Sequence, residues 1–128
     1  MGAWGYGPFD NDGAGDLLAD IRKGNFTFEG VEWAFEDPDY LEVDGGQIVI
    51  ALAALARAFL GGLAAPESVP NLEVFGAQLT ADRLAWIQSQ LDRTLSDGKS
   101  SELYELWEDS GDLEKWLESS RASIWPAQ

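Results

Sequence analysis

The amino-acid sequence predicts an all-α fold: a single compact domain of five to six helices, preceded by an extended N-terminal arm of aromatic residues and glycines. Three observations lead to this prediction. The chain has 128 residues, of which 45% are hydrophobic, and this is enough for one buried core. Apolar residues recur at helical spacing along most of the chain. Residues that favour helix N-termini precede these runs, and glycines follow several of them.

The predicted domain covers residues 1–128. It is divided into an arm at 1–11 and candidate helices at 12–24, 26–37, 44–62, 80–96, 101–109 and 111–124. The segment from Pro66 to Gly76 is predicted to be a surface loop, because it contains Pro70 and Asn71.

The arm alternates aromatic side chains with glycines, which lets its backbone lie close to other elements. The simpler interpretation is that the rings of Trp4, Tyr6 and Phe9 fill gaps in a core. The alternative is a ligand cleft with Trp4 and Tyr6 as its floor and with Asp10 and Asp12 at its edge. The glycines do not fit a phosphate-binding loop, because the sequence shows neither the preceding strand nor a helix at the fixed offset that such a loop requires.

The first helix is predicted to have Asp12 as its N-cap and to end at Gly24. The next segment, 25–35, fits two structures. Its aromatic residues alternate on either side of Glu29 and Gly30, as they would in a tight hairpin. Its apolar residues also fit a helix. We favour the helix, because a two-stranded hairpin is marginally stable alone and the sequence predicts no third strand.

The segment 44–62 is predicted to be the central, buried helix. Its large apolar residues recur at helical spacing, and its alanines form a flatter neighbouring row where another helix can approach closely. Gly61 and Gly62 should end this helix. Arg57 lies on the remaining face and is predicted to pair with one of the many carboxylates.

The distribution of charge supports a central position for this helix. Residues 48–95 carry a net charge of −1, whereas residues 1–47 carry −9 and residues 96–128 carry −5. Because charged groups are excluded from buried surfaces, the neutral third should lie inside and the acidic thirds should surround it.

The last three helices are predicted from their caps and their apolar stripes. Thr80 and Ser101 are suitable N-caps for two of them, and Pro126 closes the last. Each of the three has apolar residues on one face and charged residues on the other.

The overall charge excludes several classes of partner. The chain has 23 Asp and Glu residues against 8 Lys and Arg residues, and its formal net charge is −15. A polyanion does not bind phosphate groups, so we exclude nucleic acids and anionic membrane surfaces as partners. The longest apolar stretch, 48–65, contains Arg57 and many small residues, so it is not predicted to span a membrane. The N-terminus has no secretory pattern, and we expect a cytoplasmic protein.

The absence of cysteine and histidine excludes the commonest catalytic and metal-binding groups. We therefore expect no enzymatic activity, no cofactor and no metal site. Asp10, Asp12 and Asp16 imitate part of a calcium loop, but two of the positions that should supply ligands are Ala14 and Ile21. The acidic cluster at 36–44 has the groups to chelate a hard cation, but a solvated loop explains it more simply.

A second acidic and aromatic zone consists of Trp107, Glu108, Asp109 and Asp112, close in sequence to Trp116. A basic protein could be anchored there by a tryptophan and attracted by the carboxylates. The alternative is a pair of helices with their tryptophans inward and their acidic residues outward, which we favour because tryptophan is usually well buried.

The residues Met-Gly-Ala-Trp-Gly-x-Gly-x-Phe-Asp-Asn-Asp at 1–12 resemble the opening signature of a bacterial family, domain of unknown function 4259. The stretch 101–110, followed by Trp116 and Leu117, is similar to the C-terminal part of that family. The resemblance implies a small, acidic, mainly helical bacterial protein. It transfers no catalytic residue.

Three hypotheses for function follow. The first is a non-enzymatic protein-binding module that recognises a basic partner, as an immunity protein or antitoxin does. The alternative is a small carboxylate-based or metal-dependent hydrolase with a cleft near Trp4, Asp10 and Asp12. In the third, the acidity serves solubility or a salty habitat. A homodimer is compatible with all three.

Overall fold

The computed structural model of the protein describes residues 3–61 and 72–125. Seven helices make up 68% of these residues, which contain no β-strand, so the all-α prediction is confirmed. The helices are α1 (Asp12–Lys23), a 3₁₀ helix (Glu29–Phe35), α2 (Val43–Phe59), α3 (Leu72–Gly76), α4 (Ala81–Ser96), α5 (Glu102–Ser110) and α6 (Leu113–Ser123). In the described part of the chain, no helix has the length and hydropathy needed to cross a membrane.

Helix α2 is the central element, as its neutral sequence predicts. It is buried on all sides from Gly45 to Ala56, and it contacts every other helix described. A helix that is apolar all round can be stable only when it is enclosed in this way. The acidic helices α1, α5 and α6 surround it with their apolar faces inward.

The N-terminal arm is not extended, contrary to the prediction. Ala3 pairs with Asn11 in an isolated antiparallel bridge, and the Trp4 N–H donates to the Asp10 carbonyl at 2.9 Å. The described part of the arm is therefore a closed loop. The predicted N-cap of α1 is also wrong: Asn11, in extended conformation, accepts a hydrogen bond from the Ala14 N–H at 2.8 Å, while Asp12 is already helical.

The segment 25–35 is helical, as we favoured, and not a hairpin, but the helix is a short 3₁₀ helix that begins at Glu29. The two phenylalanines before it are buried instead: Phe26 and Phe28 pack against Phe75 with ring centroids 5.7 and 6.2 Å apart. Both rings are buried although their residues precede the helix, so the predicted helix is shorter at its N-terminal end.

Phe75 itself lies in α3, where the sequence predicted a loop. The segment 72–76 is helical because Phe75, only 1% exposed, fills the space beside Phe26. The rest of the predicted loop, residues 66–71, lies outside the described residues, as do Gly62 and Pro126.

Among the described residues no carboxylate pairs with Arg57, contrary to the prediction. Its guanidinium donates to the backbone carbonyl of Ala122, near the C-terminal end of α6. Carbonyls in the last turn of a helix lack intrahelical donors, and a cation compensates for both this deficit and the helix dipole. The predicted caps Thr80 and Ser101 are confirmed, since their hydroxyls accept from Arg83 and Tyr104 N–H groups.

Candidate functional site

The aromatic residues of the N-terminal loop have two different environments. Trp4 is 67% exposed and does not fill the core. Tyr6 packs its ring against Trp107, with centroids 5.3 Å apart, and its hydroxyl donates to the Asp112 carboxylate at 3.0 Å. Tyr6 and Asp112 therefore fasten the loop to the start of α6, which is a structural role.

The two acidic residues of the predicted cleft do not act together. The Asp10 carboxylate turns back into the loop and accepts from the Gly7 N–H at 3.1 Å. Asp12 instead lines a hollow beside α1, together with Asp16 and Asp20. The arrangement gives no pair of converging carboxylates next to Trp4 of the kind that acid–base hydrolysis requires.

The second predicted zone separates into a buried part and a surface part. Trp107 is 7% exposed and stacks on Trp116, with centroids 6.1 Å apart and an angle of 14° between the rings. Glu108 and Asp109 are exposed on the same helix. The tryptophans face inward and the acidic residues face outward, so Trp107 is a core residue in this structure.

Eleven of the acidic residues line three adjoining hollows, which together form a surface that we call the acidic band. The α1 hollow, about 190 Å³, lies between α1 and the 3₁₀ helix, and the 3₁₀ hollow, about 220 Å³, follows the 3₁₀ helix. The α5 hollow, about 640 Å³, lies beside α5. The α1 hollow is lined by Asp12, Asp16, Asp20 and Asp44. The 3₁₀ hollow shares Asp44 and adds Glu36, Asp37 and Glu42, and the α5 hollow is lined by Asp97, Glu105, Glu108 and Asp109.

Aromatic residues join these hollows. Trp33 lines both the α1 hollow and the 3₁₀ hollow, and Tyr40 lines both the 3₁₀ hollow and the α5 hollow. Trp33 is 57% exposed, although it lies in a segment whose other aromatic residues are largely buried. A surface that combines carboxylates with an exposed tryptophan has both the charge and the apolar area that protein recognition uses.

Contacts between helices hold the band in shape. The Glu102 carboxylate accepts from the Val43 N–H at 2.7 Å and so caps α2, while Leu41 forms a bridge with Ser101 at the start of α5. The Gln47 side chain accepts from the Gly13 N–H at 3.1 Å. These bonds tie α1 and α5 to the central helix, and tie the segment after the 3₁₀ helix to the start of α5.

The titration of Tyr40 reflects the negative potential of the band. Partial burial raises the pKa of its hydroxyl, and the charges of Glu102, Glu105 and Glu42 raise it further. At the other end of the α5 hollow, backbone N–H groups of Ser100 and Lys99 bond to the Asp97 carboxylate and lower its pKa.

Few of the described basic residues neutralise the band. The ion pair that the structure shows among its described residues joins Arg83 and Glu29 at 3.1 Å, outside the three hollows. Arg93 bonds to the Asp37 backbone carbonyl rather than to its carboxylate. Lys99 is the one cation among the residues lining the three hollows. In residues 3–61 and 72–125, no group of three or more carboxylates has the geometry to hold a metal ion.

Fold and surface together define a small, all-α protein with an acidic, aromatic-bearing surface. The chain belongs to the family described as Domain of unknown function (DUF4259), whose model matches residues 2–119. The comparisons with curated proteins and with solved structures gave no match.

The sequence interpretation missed Trp33 as a surface residue and missed the row of aspartates on α1. Asp12, Asp16 and Asp20 follow each other at intervals of four residues, which places them on one face of a helix. That spacing was available in the sequence. The exposure of Trp33 was not, because its neighbours alternate in a pattern that a buried segment would also show.

Proposed function

We propose that this protein is a non-enzymatic binding module that recognises a basic protein, with an immunity protein or antitoxin as the concrete version. The observation that carries the proposal is the acidic band: eleven carboxylates and an exposed tryptophan occupy three adjoining hollows, with a single lysine among them. Such a surface attracts a basic partner over long range and gives it an apolar contact once it arrives.

The distribution of the acidic residues supports binding over solubility alone. Solubility requires charges that are spread over the whole surface and mixed in sign. Here nearly half of the 23 acidic residues line adjoining hollows. Concave surfaces lined by one sign of charge concentrate the electric field, which increases the rate at which an oppositely charged protein binds.

The alternative, a small hydrolase near Trp4, Asp10 and Asp12, gains no support from the geometry. Asp10 is engaged within its own loop, and Asp12 belongs to the acidic band. We further propose a bacterial setting, which the family resemblance implies, and a cytoplasmic location.

The test is capture of partners from the source organism at low ionic strength, about 0.02 M, and at about 0.5 M, where charges are screened within a few ångströms. We expect a protein of basic pI whose association rate falls steeply with salt. The proposal is wrong if no basic protein is recovered, or if the affinity of the recovered protein does not depend on salt.

A matched pair of variants separates the band from general charge. The triple variant Glu105→Gln/Glu108→Gln/Asp109→Asn removes three charges from the α5 hollow. The control variant Asp92→Asn/Glu114→Gln/Glu118→Gln removes three charges from exposed positions on α4 and α6 that line none of the three hollows. The first should weaken binding of the captured partner about tenfold more than the second; equal effects would show that net charge alone acts.

A further inference from the structure

The two hollows on either side of Trp33 differ from the rest of the acidic band in size and in lining. Their volumes, about 190 and 220 Å³, are below the range of about 300–1,000 Å³ that small-molecule sites usually have. A space of this size is suited to one long side chain of a protein partner. Trp33 and Asp44 line both hollows, so two such side chains, one in each hollow, would both lie beside the same tryptophan.

The lining of the α1 hollow matches a side chain with an apolar stem and a charged end. Leu17, Val31 and Ile48 supply apolar surface, while Asp12, Asp16 and Asp20 supply the carboxylates. Long basic side chains bury their methylene groups on apolar surface and keep their charged ends among polar groups. The 3₁₀ hollow has the same number of carboxylates, four, but less apolar surface, which suits the charged end itself.

Trp33 makes the site more selective than a cluster of acidic residues. Its indole is the best aromatic partner for a cation, and the guanidinium of arginine can stack on it while it donates two hydrogen bonds to a carboxylate. The ammonium of lysine is a point charge that cannot do both. Arg83 combines the same two kinds of contact within the protein: its guanidinium lies 4.8 Å from the centre of the Phe28 ring and donates one hydrogen bond to the Glu29 carboxylate.

The row of aspartates on α1 lowers the stability of the protein. Asp12, Asp16 and Asp20 are exposed and lie one turn apart, about 6 Å along the helix, and like charges at this spacing destabilise a helix. None of the three forms an ion pair in the described structure. A binding role explains why the row is compatible with a folded protein, because a bound cation would relieve the repulsion.

From these observations we propose that the two hollows lined by Trp33 bind two arginine side chains of the basic partner, one in each hollow. The inference rests on the proposed function, since it names the chemical group by which the basic partner is recognised. It adds a selectivity for arginine over lysine that net charge alone does not produce.

The experiment uses two probes of equal length and charge, hexa-arginine and hexalysine peptides, and measures their dissociation constants by calorimetry. Hexa-arginine should bind the wild-type protein about fivefold more tightly than hexalysine because of the contact with the indole. The variant Trp33→Leu should reduce this preference to about twofold or less, the part that hydrogen bonding to carboxylates retains elsewhere on the band.

The control variant is Trp4→Leu, which removes an even more exposed tryptophan that lines neither hollow. It should leave the preference for arginine unchanged. Both side chains lie largely in solvent, so both variants should fold, and circular dichroism checks this. Equal affinity of the two peptides for the wild-type protein overturns the inference, and so does a preference that stays near fivefold in Trp33→Leu.

A second arm uses Asp16→Asn, which should weaken hexa-arginine binding about threefold and raise the melting temperature by about 2 °C, because it removes two like-charge pairs. An aspartate with a purely structural or solubilising role would not both strengthen the binding of hexa-arginine and lower the melting temperature.

If a basic partner is captured but its affinity is insensitive to Trp33→Leu, the proposed function stands and the arginine site does not. If the protein prefers hexa-arginine to hexalysine but no basic partner is captured, the selectivity of the two hollows for arginine stands and the proposed function does not.

Discussion

Tyr6 illustrates how a single residue of the N-terminal loop contributes to stability. Its hydrogen bond to Asp112, then partial burial, then the charge of Asp112 raise the pKa of its hydroxyl above the usual value of about 10. The folded protein therefore holds this proton more tightly than the unfolded chain does. This contribution to stability is complete below about pH 10 and is lost as the pH rises through the folded pKa.

The variant Tyr6→Phe keeps the ring against Trp107 and removes the hydroxyl. We expect the urea midpoint of the wild-type protein to fall more steeply above about pH 10 than that of Tyr6→Phe. Asp112→Asn should reduce the alkaline slope in the same way, because it removes the charge that opposes ionisation of Tyr6. Parallel slopes for wild type and Tyr6→Phe would contradict the role assigned to this bond.

Helix α2 illustrates, at the scale of an element, how close packing overrides helix propensity. Alanine is a better helix former than glycine, but a Cβ at Gly45 would lie 2.5 Å from Leu41 Cδ1 and 2.9 Å from the Ala34 carbonyl oxygen. Gly45→Ala should therefore lower the free energy of unfolding by about 1–3 kcal/mol. Gly15 in α1 has nothing within 4 Å, so Gly15→Ala should raise it by about 0.5–1 kcal/mol.

Urea unfolding at neutral pH measures both values. The two variants make the same chemical change within helices, so propensity alone predicts that both stabilise the protein. A gain in stability for Gly45→Ala would show that the start of α2 can move away from Ala34, and that close packing does not require glycine at this position.

The elements that could be predicted from sequence are those with strong local signals. The caps Thr80 and Ser101 and the apolar face of each long helix determine α4, α5 and α6 locally. The five-residue helix α3 is too short to show periodicity, and it forms because Phe75 packs against Phe26, a contact between residues far apart in sequence.

The candidate site was predictable only in its charge. The acidic composition indicated a basic partner, but the tryptophan chosen as its anchor, Trp107, is buried against Trp116. The exposed anchor, Trp33, lies in a segment whose other rings pack inward. Which of several aromatic residues reaches the surface depends on tertiary packing, and no local pattern distinguishes them.

At the scale of the whole molecule, the net charge of −15 acts on stability as well as on binding. Eleven carboxylates share one surface with a single lysine, so the folded state brings like charges closer together than the unfolded chain does. Salt screens this repulsion, since the Debye length falls from about 30 Å at 0.01 M to about 4 Å at 0.5 M. The melting temperature should therefore rise with sodium chloride, by about 5 °C over this range.

Two double variants with the same net charge test whether the acidic band causes this rise. Asp16→Asn/Asp20→Asn removes two charges from the α1 hollow, and Asp92→Asn/Glu118→Gln removes two from exposed positions outside the three hollows. The first should be more stable at low salt and should gain less from added salt than the second, because the charges that it removes are the crowded ones. Equal gains would mean that the repulsion is spread over the whole surface, which is the distribution that solubility or a salty habitat predicts, and the concentration of acidic residues in the band would then have no energetic consequence.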